Sequence, residues 1–278
     1  MYNKIAGAIF GAAAGDAVGC SFEGMSADEK RVPEISGGGI FSLPAGSVTD
    51  DTYMTIALAE TYLEYKKFDR DRFLKKVTLA IRSYGKTFGR TTKTISALSE
   101  QGCFSDLASD AVNKIFECET NGSVMRTIPV GLVPCDTENE ARRVSAFTHS
   151  GKEACDASAA VSSAAHQLLM GASKSEILSA IPEKYLSCEL IPSVSALEST
   201  ACAFDCFFKG SDYVDVIRRA ICLGGDTDTI GAIAGGLAGI FYGYESIPKK
   251  WIDSIIIKNE LEEISKGLTL AHCASQQV

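Results

Sequence analysis

Three observations predict an all-α fold for this chain. Apolar residues recur at the helical period through most of the 278 residues, whereas the alternating pattern of a half-buried strand is scarce. Two stripes of glycines repeat at every fourth residue, a spacing that places each stripe along one face of a helix. Apolar residues make up 46% of the chain and no long polar tract interrupts them, so we expect one domain over residues 1–278 with a substantial core.

The helical periodicity predicts a series of helices after residue 50. A glycine-rich loop that contains Pro44 precedes the first of them, over residues 36–49. A second irregular stretch is expected around Asn121-Gly122-Ser123. The predicted helices cover residues 51–66, 70–84, 92–100, 138–147, 152–169, 193–208, 213–222 and 229–242.

The glycine stripes predict a close crossing of two helices. An interior glycine costs a helix about 1 kcal/mol relative to alanine, so a helix with several needs compensation, most simply through close packing against another backbone. We therefore expect both glycine faces to be buried where helices cross. The stripes are Gly7, Gly11, Gly15 and Gly19, and Gly231, Gly235, Gly239 and Gly243.

Composition argues against several function classes. A net charge of −8 disfavours binding to a nucleic-acid backbone, which requires clustered Lys and Arg. The apolar run over residues 230–244 is shorter than the roughly 20 residues of a membrane-spanning helix, so no membrane partner is expected. Asp16 and the first glycine stripe argue against a secretory signal. Ten cysteines, spread singly along apolar segments, indicate reduced thiols and a cytoplasmic location.

Two acidic clusters stand where predicted helices begin. Thr49-Asp50-Asp51 precedes one helix, and Asp226-Thr227-Asp228-Thr229 precedes another, directly after Gly224-Gly225. Helix N-termini stabilise ionised Asp, so these acids could serve only as N-caps. If they meet in one pocket, however, four carboxylates repel strongly, and folding must raise their pKa values or supply cations. Two dications would neutralise the four charges, and hard oxygen ligands favour Mg²⁺, with Mn²⁺ as an alternative.

Five motifs, in order along the chain, resemble those of the ADP-ribosylglycohydrolase family. The resemblance implies a compact orthogonal bundle of helices with two bound Mg²⁺ ions. The motifs are Gly7-Ala8-Ile9-Phe10-Gly11 with Gly15-Asp16-Ala17-Val18-Gly19, Gly46-Ser47-Val48-Thr49-Asp50-Asp51-Thr52, Asn121-Gly122-Ser123-Val124-Met125-Arg126, Thr148-His149-Ser150, and Gly224-Gly225-Asp226-Thr227-Asp228-Thr229. The implied metal ligands are Thr49, Asp50, Asp51, Asp226, Asp228 and Thr229.

The resemblance also implies a reaction. Substrates of the family carry ADP-ribose on a protein side chain, through a bond from the anomeric carbon of the distal ribose to nitrogen or oxygen. The cations would bind the cis hydroxyls of that ribose while positive charge develops at the anomeric carbon. A held water then attacks, and either Asp51 or Asp228 takes its proton. Glu23 corresponds to a mobile acidic gate over the ribose, with a solvated loop glutamate as the alternative.

Further residues are expected to bind ADP-ribose. Asn121, Gly122 and Ser123 would approach the ribose and the pyrophosphate, since a glycine lets backbone N–H groups reach phosphate oxygens. Arg126 would either neutralise the pyrophosphate or pair with a buried acid. His149 would hydrogen-bond the ribose or a phosphate.

Two segments bear on the identity of the leaving group, and they do not agree. The glycine-rich approach over residues 37–46 and the Thr-Asp-Asp triplet resemble the bacterial branch that acts on ADP-ribosylarginine. Members of that branch often carry an acid before a Gly-x-Thr-Thr pattern, whereas residues 87–92 contain none. We expect a hydrolase of ADP-ribosylated proteins with arginine as the modified side chain. The alternatives are a hydrolase of serine-linked or small-molecule conjugates, and a protein that binds ADP-ribose without hydrolysing it.

Overall fold

The computed structural model describes residues 1–116 and 118–275, and its regular structure within these ranges is helical. Extended pairing there consists of isolated bridges, Gly38 with Leu43 and Thr120 with Ser195. The all-α prediction is confirmed. The α-helices are α1 (Tyr2–Gly19), α2 (Asp50–Tyr65), α3 (Arg70–Tyr84), α4 (Arg90–Glu100), α5 (Ser105–Ile115), α6 (Thr137–Ala146), α7 (Lys152–Leu169), α8 (Lys174–Ala180), α9 (Glu183–Ser187), α10 (Ala196–Lys209), α11 (Tyr213–Leu223), α12 (Thr227–Tyr242), α13 (Lys249–Ser254) and α14 (Lys258–Ser275). Short 3-10 helices cover Asn121–Ser123, Ile128–Leu132 and Tyr244–Ser246.

All the helices predicted from periodicity form, and their ends differ from the prediction by a few residues. Periodicity does not predict α5, α8, α9, α13 or α14. Three of these, α8, α9 and α13, are too short to show a repeating apolar pattern. In α5 the pattern misleads, because the large apolar side chains of Leu107 and Ile115 are exposed. In α14 a signal was present, since Leu261, Ile264 and Leu268 are buried at helical spacing.

Helices α1 and α12 run antiparallel through the centre of the molecule with their backbones in contact. Every residue of α1 from position 5 and of α12 up to position 240 is buried. A Cβ atom at Gly11 would overlap the carbonyl oxygen of Gly235, and one at Gly231 would lie 2.5 Å from the carbonyl oxygen of Gly15. The predicted close crossing is therefore confirmed. Gly243 is the exception, because it ends α12 at a φ of 87° instead of extending the stripe.

The crossing determines where three helix ends meet. The Thr227 hydroxyl at the start of α12 donates to the carbonyl of Gly19 at the end of α1, at 2.7 Å. One turn earlier in α1, the Asp16 carboxylate accepts the backbone N–H of Thr49 at 2.9 Å and that of Thr52 at 3.2 Å. The N-terminal ends of α2 and α12 thus lie together at the C-terminal end of α1. Among the described residues, no helix is both long enough and apolar enough to cross a membrane.

The glycine crossing leads to a stability prediction. We expect Gly11→Ala to lower the free energy of unfolding by about 3 kcal/mol, because the added methyl group meets rigid backbone that cannot move aside. Urea denaturation followed by circular dichroism measures the change.

Gly267→Ala is the matched control, since its Cβ would meet only the side chain of Leu63, whose methyl groups lie at 2.9 and 3.0 Å. Those methyls can rotate away and alanine favours the helix, so the control should stay within about 1 kcal/mol of the wild type. Equal effects of the two substitutions would contradict the importance of the crossing.

Candidate active site

The first acidic cluster is held by the start of α2. Thr49 is the N-cap residue, and its hydroxyl accepts the backbone N–H of Asp51 at 3.4 Å and donates to the Asp51 carboxylate at 2.9 Å. The backbone N–H of Asp50 donates to the hydroxyl of Thr87 at 3.1 Å. These contacts satisfy donors that a helix N-terminus leaves unpaired. They also leave both aspartate side chains on the wall of one cavity.

Asp16, which the sequence did not indicate as a site residue, positions this cluster from the C-terminal end of α1. Its fully buried carboxylate accepts the backbone N–H groups of Thr49 and Thr52. Burial raises the pKa of Asp16 to about 6, although the hydrogen bonds from Thr52 and Thr49 oppose the rise. The signal was an aspartate in an otherwise apolar glycine helix, because a buried carboxylate requires hydrogen-bond donors.

The second cluster is held by the start of α12. Gly224 and Gly225 have φ values of 75° and 66°, a backbone conformation that favours glycine and turns the chain sharply into the helix. The Asp226 carboxylate accepts the side-chain N–H of Asn121 at 2.6 Å. The Asp228 carboxylate accepts the backbone N–H of Thr229 at 2.9 Å. Asn121 therefore links the 3-10 segment to an acid 105 residues away.

Both clusters face a cavity of about 290 Å³. Most of the residues predicted from the sequence lie on its wall, although their roles there remain predictions. The predicted residues on the wall are Glu23, Asp50, Asp51, Asn121, Gly122, His149, Asp226, Asp228 and Thr229. Those behind the wall are Thr49, Ser123 and Arg126, each fully buried.

The cavity concentrates negative charge in a poorly solvated place. Burial raises the pKa values of Asp51 and Asp228 well above the usual range, and repulsion from neighbouring carboxylates adds a smaller rise. For the same reasons, the pKa of Asp50 rises to about 7. Burial raises the pKa of Glu23 to about 7 against a hydrogen bond with Asp228. Protons or cations would relieve this repulsion.

The acids suit a hard cation by donor type. Asp51 Oδ1 and Glu23 Oε2 are buried without a hydrogen-bond partner, so each has a free lone pair that a cation could use. Carboxylate and hydroxyl oxygens are ligands that Mg²⁺ and Mn²⁺ accept. Within the described ranges, no three Asp, Glu, His or Cys side chains already form a metal-binding group. The donor set therefore fits Mg²⁺, and binding would require the side chains to rotate.

Arg126 occupies neither of the two places considered for it. Its guanidinium is fully buried and donates to the carbonyl of Gly122 at 2.5 Å and to the hydroxyl of Thr148 at 2.7 Å. It also lies over the ring of Phe73, 5.1 Å from the centroid. Burial lowers the pKa of Arg126 to about 9. Arg126 thus supports the segment behind the wall, and it contacts neither the cavity nor a buried acid.

Ser123 is also behind the wall. Its hydroxyl accepts a hydrogen bond from the hydroxyl of Ser145 at 2.8 Å and lies 3.3 Å from that of Ser158. The side chain therefore joins the 3-10 segment to α6 and α7. This hydroxyl does not line the cavity, so the predicted contact with a ligand is not seen at this side chain.

Arg90 is a wall residue that sequence analysis missed. It is the first residue of α4, and its guanidinium lies 4.3 Å from the centroid of the Phe116 ring. Among the described residues that line the cavity, Arg90 is the one Lys or Arg. A signal was available, because Arg90 fills the variable position of the Gly-x-Thr-Thr pattern.

His149 packs edge-on against Gly122. A Cβ atom at position 122 would lie 2.8 Å from Cε1 and 2.9 Å from Nε2 of the ring, so a glycine is needed for this approach. Burial lowers the pKa of His149 to about 3, and repulsion from Arg126 makes a smaller contribution to this fall. The ring is therefore neutral at physiological pH.

Comparisons with known proteins agree with this arrangement. A family model described as ADP-ribosylglycohydrolase matches residues 1–277. The ADP-ribosylarginine hydrolase Tri1 of Pseudomonas putida is 28% identical, over 96% of this chain and 78% of the relative. The ADP-ribosyl-[dinitrogen reductase] glycohydrolase of Rhodospirillum rubrum is 25% identical, over 94% and 93%. A solved structure described as an ADP-ribosylglycohydrolase-related protein complex aligns with a TM-score of 0.84 and 28% identity, over 98% of each chain. The resemblance inferred from five sequence motifs is confirmed, and the chain belongs to the ADP-ribosylglycohydrolase family.

Proposed function

We propose that this protein is a Mg²⁺-dependent hydrolase that releases ADP-ribose from ADP-ribosylated arginine side chains of proteins. The observation that carries the proposal is the meeting of two acidic helix starts in one cavity, beside Asn121 and His149. The family assigns the class of reaction, hydrolysis of a glycosidic bond to ADP-ribose. A relative named as an ADP-ribosylarginine hydrolase supports arginine as the leaving group.

The proposed metal ligands are oxygens of both helix starts. When bound, Mg²⁺ would supply positive charge that offsets the carboxylates, and it would offer coordination positions to the hydroxyl oxygens of a ribose. Mn²⁺ could replace it. The residues that would hold it are Thr49, Asp50, Asp51, Asp226, Asp228 and Thr229. Asp16 and Asn121 hold the two helix starts at one cavity through hydrogen bonds, so side-chain rotation, without movement of the helices, would bring the proposed ligands to a cation.

Asp51 and Asp228 are the carboxylates that we assign to proton transfer, because both line the cavity and Asp51 Oδ1 has no hydrogen-bond partner. One of the two would take a proton from the attacking water as the bond between the anomeric carbon and the side-chain nitrogen breaks. Glu23 lies within hydrogen-bond reach of Asp228 and could pass that proton on.

Arg90 offers the positive charge that the pyrophosphate of ADP-ribose requires. The other charged groups on the cavity wall are carboxylates, which repel a phosphate. Arg90 stacks on Phe116 and makes no ion pair with any described residue, so its donors remain available. A guanidinium binds phosphate oxygens through paired hydrogen bonds.

Arg90 also supports a second candidate function, hydrolysis of serine-linked conjugates. A guanidinium on the wall disfavours a second guanidinium nearby, as an arginine leaving group would be. Residues 87–92 offer no acid that would offset this repulsion. A neutral serine leaving group avoids it.

Release of ADP-ribose from defined peptides tests the proposal. We expect release from arginine-linked peptides, measured by mass spectrometry, and loss of that release when a chelator removes divalent cations. Added Mg²⁺ should restore it. Release from serine-linked peptides alone would favour the second candidate, and release that is unaffected by chelator would contradict the metal site. Tight binding of ADP-ribose with no release from any conjugate would indicate a binding protein.

Substitution of Asp228 tests the acidic cluster. Asp228→Asn should lower kcat at least about a hundredfold, because it removes a proposed ligand and base. Without metal, the variant should fold at least as stably as the wild type. The raised pKa of the Asp228 carboxyl group means that its ionised form is disfavoured in the folded protein. Thermal unfolding in the presence of chelator checks this point.

Asp205→Asn is the control for Asp228→Asn. Asp205 makes a surface ion pair with Lys209 and is not part of the cavity wall, so the substitution removes the same charge outside the site. It should leave kcat unchanged. A kcat of Asp228→Asn within about threefold of this control would refute the assignment, since removing a group at the reacting centre costs far more.

Substitution of Arg90 tests the pyrophosphate contact. Arg90→Gln should raise the Kd for ADP-ribose about tenfold, because a hydrogen-bonded charge pair is lost. Isothermal titration calorimetry measures the change. Arg82→Gln, which removes a surface guanidinium paired with Glu100, should leave the Kd unchanged. If both variants bind ADP-ribose as tightly as the wild type, Arg90 does not contact the pyrophosphate.

A further inference from the structure

Three consecutive hydrogen-bonding groups connect the protein interior to the cavity wall. Arg126 Nη2 donates to the hydroxyl oxygen of Thr148 at 2.7 Å. The same oxygen lies 2.8 Å from Nδ1 of His149. Arg126 and Thr148 are both fully buried, whereas His149 reaches the wall. The contacts therefore run from a buried cation, through a hydroxyl, to an imidazole that faces the ligand cavity.

The direction of these hydrogen bonds follows from counting protons. A guanidinium only donates, so the Thr148 oxygen accepts from Arg126. A hydroxyl has one proton of its own to donate, and the partners of the Thr148 hydroxyl are Arg126 and His149 alone among the described residues. Because Thr148 is buried, leaving its proton unpaired would cost free energy. The hydroxyl therefore donates to Nδ1, which must be the unprotonated nitrogen of the ring.

The charge of the ring agrees with this direction. An imidazolium would carry a proton on both nitrogens and could not accept the Thr148 hydroxyl. Burial and the nearby Arg126 lower the pKa of His149 to about 3, so the ring is neutral. A neutral ring with an unprotonated Nδ1 carries its proton on Nε2.

Nε2 is the nitrogen left for a ligand. It has no hydrogen-bond partner among the described residues, and the Cε1–Nε2 edge of the ring packs against Gly122 on the cavity wall. Arg126 also donates to the carbonyl of Gly122, so the same guanidinium holds the segment on which the ring packs. Nε2 is therefore an N–H donor on the cavity wall, and it cannot become an acceptor unless the buried hydrogen bonds break.

We propose that Arg126 and Thr148 are positioning residues that hold His149 as the Nε2–H tautomer, so that the ring donates a hydrogen bond to an oxygen of the bound ligand. That this ligand is ADP-ribose rests on the proposed function. The tautomer itself does not, because the hydrogen bonds that select it lie within the protein.

Nuclear magnetic resonance of the ligand-free protein tests the tautomer. Long-range proton–nitrogen correlation spectra distinguish protonated from unprotonated ring nitrogens, and the chain has three histidines, so the signals can be separated. His149→Gln identifies the His149 signals by their loss. We expect an unprotonated Nδ1 and a protonated Nε2 for His149 at neutral pH. A protonated Nδ1, or protons on both nitrogens, overturns the proposal.

Thr148→Val tests the positioning role, since valine keeps the shape and removes the hydroxyl. We expect the nitrogen signals of His149 to shift toward a mixture of tautomers and the Kd for ADP-ribose to rise about tenfold, as expected for loss of an oriented hydrogen bond. Thr148→Ser should restore both, because serine returns the hydroxyl. An unchanged tautomer and an unchanged Kd in Thr148→Val overturn the proposal.

Thr61→Val is the matched control, because the hydroxyl of this buried threonine donates to the carbonyl of Leu58 at 2.8 Å and lies off the cavity wall. It should leave the His149 signals and the Kd unchanged. Failure of ADP-ribose release in the wild type would count against the proposed function while the spectra still decide the tautomer. The two failures are therefore distinguishable.

Discussion

The close contact between α1 and α12 is the constraint on which the site depends. Glycines remove the side chains between the two backbones, so the carbonyl of Gly235 comes to lie where a side chain at Gly11 would be. The end of α1 is therefore fixed against the start of α12, as the hydrogen bond from Thr227 to Gly19 shows. A wider crossing would separate Asp16 from the second acidic cluster and would leave the cavity without one of its walls.

Burial of acids is the second feature that shapes the molecule. Desolvation raises the pKa values of Asp16, Asp50, Asp51, Glu23 and Asp228, so this part of the fold opposes the ionised state of its own side chains. Such an arrangement lowers the stability of the folded protein at neutral pH, and bound cations would relieve the repulsion. The stability lost here is offset elsewhere, by the large apolar core in which α1 and α12 lie.

Arg126 shows how the fold supports a polar wall from behind. Its guanidinium is buried and forms no ion pair with an acid among the described residues, and its shortest hydrogen bonds go to the carbonyl of Gly122 and the hydroxyl of Thr148. Both acceptors belong to segments that form the cavity wall. The cation therefore holds two parts of the wall together and orients the hydrogen bonding of His149, without facing the ligand itself.

The sequence by itself determined the helical class, the crossing of the glycine stripes and the acid clusters at helix starts. These features depend on local spacing, because residues four apart share a helix face and an aspartate before an apolar run caps a helix. Only the tertiary structure decided which polar groups meet. Asn121 and Asp226 pair across 105 residues, Asp16 accepts backbone N–H groups at the start of a helix that begins 34 residues later, and Arg126 donates to Thr148 behind the cavity wall. The partner of a buried polar group depends on how helices pack over long separations, and no local pattern records that packing.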